Sequence, residues 1–261
     1  MSYRTSWQVT RSVWHALFMR EAIARTTADR FAWFWMLVEP IAMVVVMVAI
    51  RAVVSSGHHI GGVDFIPWLI CGLLGFYLFR ENMMRSVGAV DANKALFAYR
   101  QVRPVDPVLI RCYLEGLLKT IVLLLFILAS QLMGLGLMPS DLLGALFAWI
   151  SLWMLGLGVG LTLSVLSSLV PEVGNIARII SLPLLIISGA MIPLNFIPYD
   201  LQQYLLLNPI VHGIESLRMF FFPSYQTLSG ISMTFLWFCS LSLISLGLML
   251  HLRFAMRLRA Q

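Results

Sequence analysis

Charge is what this sequence has least of. Only 11% of its 261 residues are Asp, Glu, Lys or Arg, where a soluble domain carries about 25%. With 60% hydrophobic residues and a mean hydropathy of +0.88, a chain of this length cannot hide its apolar surface in one water-soluble core. Lipid is therefore the solvent for most of it. Cysteine is scarce as well. Cys71, Cys112 and Cys239 are odd in number, sit in or beside apolar runs and lack C-x-x-C spacing, which excludes a disulfide framework and a thiolate metal or redox site. There is no G-x-x-x-x-G-K-[ST] phosphate loop, so the chain has no nucleotide-hydrolysing site of its own. H-E-x-x-H, G-x-S-x-G and metal-spaced clusters are missing too; His58–His59 and His212 with Glu215 are the only suggestive pairs. These absences predict a chain that is not an enzyme and holds no metal or cofactor. No internal repeat supports an inverted-repeat secondary transporter, and no relay of Asp, Glu or His threads the apolar runs to carry protons. Met1–Arg30 carries Arg4, Arg11, Arg20, Glu21, Arg25, Asp29 and Arg30 without an uninterrupted apolar stretch, so a cleavable signal peptide is not expected.

What is present is length and apolarity. About 20 apolar residues cross the hydrocarbon at 1.5 Å each. On that measure the spans fall at 31–54, 63–80, 108–136, 142–169, 176–196 and 229–252, the second weakened by Gly72 and Gly75. The expected fold is an all-α polytopic membrane protein. It is a single transmembrane domain over 1–261, with an interfacial helix in 1–30, a six-span core in 31–252 and a tail in 253–261. Arg4 to Arg30, the basic residues from Arg80 to Arg111, Arg178 and the tail Arg253, Arg257 and Arg259 fall on one side, against Arg51 and Arg218 on the other. The positive-inside bias then puts both termini in the cytoplasm and accounts for the net charge of +6 without nucleic acid.

Two cytoplasmic features stand out. Trp7, Trp14, Leu17 and Phe18 fall on one helical stripe among basic residues, the pattern of a helix lying in the membrane interface or touching a partner. The loop 80–111 is long. In it, Asp91 is placed to cap a short helix over 92–99 bearing Leu96, Phe97 and Tyr99, which Pro104 and Pro107 end and re-aim. Exposed aromatics on a proline-held helix suit a lever pushed by a soluble partner, or an ordinary solvated loop.

Inside the spans, ionisable residues are few. Glu39 precedes Pro40 and needs a partner, whereas Glu115 and Lys119 at i, i+4 read as a self-satisfied pair. Gly156, Gly158 and Gly160 form a small-residue patch for close helix approach, within the protomer or between copies. Between the last two spans, Ser188–Arg218 breaks on prolines into apolar pieces too short to cross. It restarts as a helix at Pro209 behind an Asn208 cap, with Glu215 and Arg218 at i, i+3.

Three stretches carry a family likeness: Leu17–Ala42 with Arg20–Glu21 and Glu39–Pro40; Tyr99–Arg111; and Pro193, Asn195, Asn208, Pro209, His212, Glu215 and Arg218. In order and spacing the chain resembles the inner-membrane permease of capsular polysaccharide ABC exporters, within the ABC-2 type group. The resemblance implies two copies of this chain with two copies of a cytoplasmic ATP-binding subunit that holds ATP and Mg. It also implies periplasmic co-polymerase-type and outer-membrane export partners, a lipid-linked acidic polysaccharide as substrate, and the bacterial inner membrane as location. The N-terminal helix and the Asp91–Arg103 loop (Asp91, Asn93, Phe97, Tyr99, Arg100, Arg103) would contact the ATP-binding subunit. The short re-entrant helices after span five would form a periplasmic gate. Aromatics stack on sugar faces, so Trp33, Trp35, Phe76, Tyr77 and Phe79 are pathway candidates, though span-end aromatics also form interface belts. Glu39 joins them, and Arg30, Arg80 and Lys94 would attract an anionic polymer. O-antigen and teichoic-acid permeases share much of this pattern. A membrane-embedded transferase acting on lipid-linked sugars, using Glu39, Asp91 or Asp106, is the reading from another class.

Overall fold

A computed structural model describes residues 5–27, 32–54 and 59–260. Among these, nearly every element is helical: α1 (Ser6–Thr27), α2 (Ala32–Val54), α3 (Phe65–Ser86), α4 (Asp106–Met133), α5 (Leu142–Leu169), α6 (Glu172–Ile187), α7 (Tyr199–Leu205), α8 (Pro209–Phe221), α9 (Met233–Arg253) and α10 (Ala255–Ala260). Two 3-10 helices, Asp91–Ala98 and Leu194–Phe196, interrupt the connections. The one departure is a small antiparallel hairpin, β1 (His59–Ile60) with β2 (Val63–Asp64). Its two-residue turn is Gly61–Gly62, both at positive φ (55° and 86°), the backbone such a hairpin demands.

Three described helices are long and apolar enough to cross a membrane: α4, α5 and α9. An apolar stretch at Leu37–Ile50 lies within α2. The expected span limits shift in two places, each for a physical reason. The second expected span, α3, does not stop near residue 80 but continues to Ser86. Polar contacts hold its last turns there: Glu81 pairs with Arg85, and the Asn82 side-chain amide and Ser86 hydroxyl donate back to the Leu78 and Asn82 carbonyls. The fifth expected span, α6, does not reach 196. It ends at Ile187, where Gly189 turns at φ +72° and a short 3-10 piece follows.

Helix α5 is the hub. Its Gly156, Gly158 and Gly160 are used inside the protomer, on two different faces. A methyl group at Gly156 would lie 2.9 Å from the Phe79 carbonyl, and one at Gly160 would lie 2.9 Å from Ser86 Cβ, both on α3. A methyl group at Gly158 would lie 3.0 Å from the Ser240 carbonyl on α9. Small residues let backbones touch where no hydrophobic force drives helices together in lipid. On its α4 side, α5 uses indoles instead. Trp149 Nε1 donates to Thr120 Oγ1 at 2.9 Å and Trp153 Nε1 to the Cys112 carbonyl at 2.9 Å.

The main core joins α3, α5 and α8, with Trp68, Leu69, Phe76, Leu152, Ile214 and Leu217 buried. A second core, toward the chain termini, gathers Leu17 of α1, Phe97, Val102, Val108 of α4, Leu161 of α5 and Leu258 of α10. The tail is thus a docked helix rather than a free extension.

Candidate functional site

Three constructions bear on function. The first is a buried lock on α8. Asn208 caps the helix by accepting from the Ile210 N–H at 3.1 Å, and Pro209 occupies the first turn, where a missing N–H costs nothing. Every residue from Ile210 to Arg218 is buried. Arg218, fully inaccessible, donates to Glu215 Oε1 at 2.9 Å and to the Gly189 and Ala190 carbonyls at 2.8 and 3.0 Å. Its guanidinium lies 3.6 Å over the Trp68 ring. Tyr225 donates to Glu215 Oε2 at 2.9 Å, and burial pushes its hydroxyl from 10.0 up to about 12, with Arg218 acting the other way. The bundle of bonds ties α8 to α3, to the turn after α6 and to the loop before α9. Gly72 makes room for it, since a methyl group there would lie 2.7 Å from the Ala190 carbonyl and collide with Arg218. His212 adds a further tie. Nδ1 accepts from the Ser232 N–H at 3.0 Å, which leaves Nε2 as donor to the Leu206 carbonyl at 2.8 Å.

The second construction is the surface around residues 91–103. The helix over 91–98 is 3-10, and Asp91 does not cap it. Instead Asp91 accepts from Ser168 Oγ at 2.8 Å and pairs with Lys94 at 3.1 Å. Phe97 is not an exposed aromatic but part of the second core, and Asn93 is buried between the Ala89 carbonyl and Arg20 of α1. A 3-10 helix turns its side chains every third residue, so Asp91, Lys94 and Phe97 follow one edge. Tyr99, Arg100 and Arg103 are left exposed. The same surface holds α1: Trp14 Nε1 donates to Asp106 Oδ1 at 3.0 Å, Arg111 meets Glu21 at 3.0 Å, and Phe18 packs on Tyr113. The α1 stripe is therefore divided. Leu17 is buried in protein, while Trp7 remains exposed.

The third is a chain of alternating charges across four helices. Glu39 of α2 meets Arg80 of α3 at 2.9 Å; Arg80 and Arg85 both meet Glu81; Arg85 reaches Glu115 of α4 at 3.6 Å; and Glu115 also pairs with Arg25 of α1. Arg80 Nε further donates to Ser181 Oγ of α6 at 2.9 Å. The expected Glu115–Lys119 pair does not form. Arg25 and Arg85 claim the carboxylate, and Lys119 turns to the Tyr77 ring, 5.7 Å from its centroid. Tertiary partners thus displace the local i, i+4 contact.

Residues 12–222 match the family described as ABC-2 type transporter. The chain belongs to the ABC-2 type transporter family. Among its relatives, it is 33% identical over 248 residues to the polysialic acid transport protein KpsM of Escherichia coli, covering 95% of each chain. It is 28% identical over 254 residues to the capsule polysaccharide export inner-membrane protein CtrC of Neisseria meningitidis, covering 97% of this chain and 95% of the relative. The figures are the same for the capsule polysaccharide export inner-membrane protein BexB of Haemophilus influenzae: 28% over 254 residues, 97% and 95%.

In this ABC-2 chain the pathway candidates are scattered. Phe76 and Tyr77 are buried, Phe79 packs beside Phe76, Trp35 is exposed against Phe34, and Lys94 sits away on the 3-10 helix paired with Asp91. Arg30 and the Trp33 side chain lie outside the described residues, as does His58. Glu39 and Arg80 are brought together. Of the gate candidates, Pro193 is buried and Asn195 exposed, and only Asn208, Pro209, His212, Glu215 and Arg218 share one helix and its cap. Sequence reasoning missed Trp68, Tyr225 and Gly72 of the lock. The signal available was an arginine with one nearby acid inside an apolar stretch, which demands further acceptors.

Proposed function

We infer that this protein is the membrane permease of an ATP-driven exporter that carries a lipid-linked capsular polysaccharide across the bacterial inner membrane. The carrying observation is the nearly full-length likeness to relatives named for polysialic acid transport and for capsule polysaccharide export, together with membership of the ABC-2 family. The chain contains no nucleotide-binding loop, so a separate cytoplasmic subunit binds ATP and Mg. On this reading α2, α3, α4, α5, α6 and α9 are six spans with both termini cytoplasmic, as the basic residues favour. The pieces between α6 and α9 lie at the periplasmic face as re-entrant helices and form the gate. Six helices are too few to surround a hydrated sugar chain, so two copies assemble with two ATP-binding subunits. Periplasmic and outer-membrane export proteins take the polymer onward. Tyr99, Arg100 and Arg103 form the exposed part of the contact with the ATP-binding subunit, and the contacts of α1 with α4 pass its movement inward.

The experiment is ATP hydrolysis in liposomes, with the chain alone and with its ATP-binding partner. No hydrolysis by the chain alone and polysaccharide-dependent hydrolysis with the partner are expected. Hydrolysis by the isolated chain would overturn the reading.

A further inference from the structure

Lys119 is a cation in the middle of a membrane-length helix. It sits thirteen residues past the start of α4 at Asp106, about 20 Å along the axis at 1.5 Å per residue. It is 7% exposed, so its stem does not snorkel to a water interface along the outside of the bundle. Among the described residues no carboxylate lies within salt-bridge reach of its ammonium, and its recorded neighbour is the face of Tyr77. Arg80 lies over the same ring, 5.9 Å from its centroid. The chain of charges beside it holds Arg25, Arg80 and Arg85 against Glu39, Glu81 and Glu115, three of each sign. That chain is balanced, and Lys119 is the surplus charge. The face of the Tyr77 ring is negative but offers no acceptor lone pair to the three N–H groups, and the ammonium lies over that face without a hydrogen bond to the Tyr77 hydroxyl. An ionised group at this depth is costly unless paired or facing a hydrated path.

We propose that Lys119, with Tyr77 and Arg80, forms an intramembrane site for the phosphodiester of an anionic lipid. One phosphodiester carries the single negative charge that balances Lys119, and its free oxygens accept the N–H donors that the Tyr77 ring cannot. Glu39 is half-exposed at the outer end of its pair with Arg80, so the lipid approaches along α2 and α3. A neutral or zwitterionic headgroup lacks the net charge the site selects. The inference needs only that α4 crosses the membrane, so it stands or falls apart from the polysaccharide reading.

The test uses the purified full chain in detergent, titrated with phosphatidylglycerol and with phosphatidylcholine of equal chain length, with binding counted by native mass spectrometry. Wild type is expected to prefer phosphatidylglycerol by about tenfold, which corresponds to about 1.4 kcal/mol. Lys119→Met removes the preference and Lys119→Arg keeps it. If Lys119→Met does not reach the membrane, Lys119→Gln is measured in its place. The source of the lipid is read from the untitrated protein. One phospholipid carried through purification on wild type and absent from the variant marks a resident lipid. Wild type that purifies empty yet binds added phosphatidylglycerol marks a lipid in passage. An unchanged preference in the neutral Lys119 variant overturns the proposal.

Discussion

Helices α7 and α8 are neighbours in the chain, joined by residues 206–208, yet they are opposite constructions. In α7 no residue is buried; Tyr199 is 81% exposed and Tyr204 64%. In α8 the whole run from Ile210 to Arg218 is buried, including a histidine, a glutamate and an arginine. Both are proline-led and carry polar residues, Asp200, Gln202 and Gln203 in α7 and His212, Glu215, Ser216 and Arg218 in α8, so the presence of polar groups does not separate them. What separates them is bonding. Helix α8 carries the cap, the ion pair, the Tyr225 donor and the Trp68 stack. Helix α7 is held mainly by Gln202 reaching the Ile197 carbonyl and by the turn that His212 grips. Ser188–Arg218 therefore holds a bonded latch and an exposed flap, and only the flap has the few buried contacts that go with local opening.

The sharpest way to break this contrast is to remove one charge of the latch. Arg218→Met leaves Glu215 buried without its guanidinium, and losing one partner of a buried pair costs about 3–5 kcal/mol. Thermal unfolding in detergent should show that loss. Adding Glu215→Gln to the same chain should recover part of it, because the stranded charge is then gone. If Arg218→Met unfolds like wild type, the latch holds nothing.

A smaller effect is expected at Tyr225. Tyr225→Phe removes one donor to a buried carboxylate, a loss of about 1.5–3 kcal/mol for a bond to a charged group. The pH dependence has a definite sign. The folded hydroxyl is held up to about 12 and the unfolded one ionises near 10.0. The unfolded state therefore releases its proton first, and the Tyr225 contribution, complete below pH 10, is lost as pH rises toward 12. Tyr225→Phe should flatten that alkaline fall in melting temperature. An identical slope would show that the Tyr225 hydroxyl is not held buried and protonated in the fold.

Much of this architecture was legible in the chain, and the exceptions share a cause. The limits of α5 follow from apolar length, those of α4 and α9 follow to within about four residues, and the start of α8 follows from Asn208–Pro209, because both signals are local. The Glu39 carboxylate demanded a partner, but only the fold supplies Arg80, forty-one residues away. Glu115 and Lys119 satisfied the local spacing rule and were separated by Arg25 and Arg85, which arrive from other helices. Phe97 reads as exposed because it sits on a short helix outside the apolar spans, and it is buried in a cluster that also holds Leu17 and Leu258, far from it in the chain. Local rules fail here wherever a polar or aromatic group is completed at long range.

The smallest stability effect, and the one that decides whether the flap works, belongs to α7. Tyr199→Ala and Tyr204→Ala remove large side chains that touch little, so unfolding should shift by no more than about 0.5 kcal/mol. If α7 is the moving part of the gate, the same variants should reduce polysaccharide appearing outside reconstituted vesicles while leaving ATP hydrolysis in place. The reason is geometric: exposed aromatics on a short helix can close on a partner copy or on a sugar face only by being free in this protomer. A cysteine pair fixing α7 to the loop at 229–231 offers the converse arm, since Gly230 already approaches Leu206 at the end of α7, where a methyl group would lie 3.0 Å away. Locking the flap there should stop export and release it on reduction. Export that continues with α7 locked would assign the gate to another element and leave α7 as a lipid-facing cover over α8.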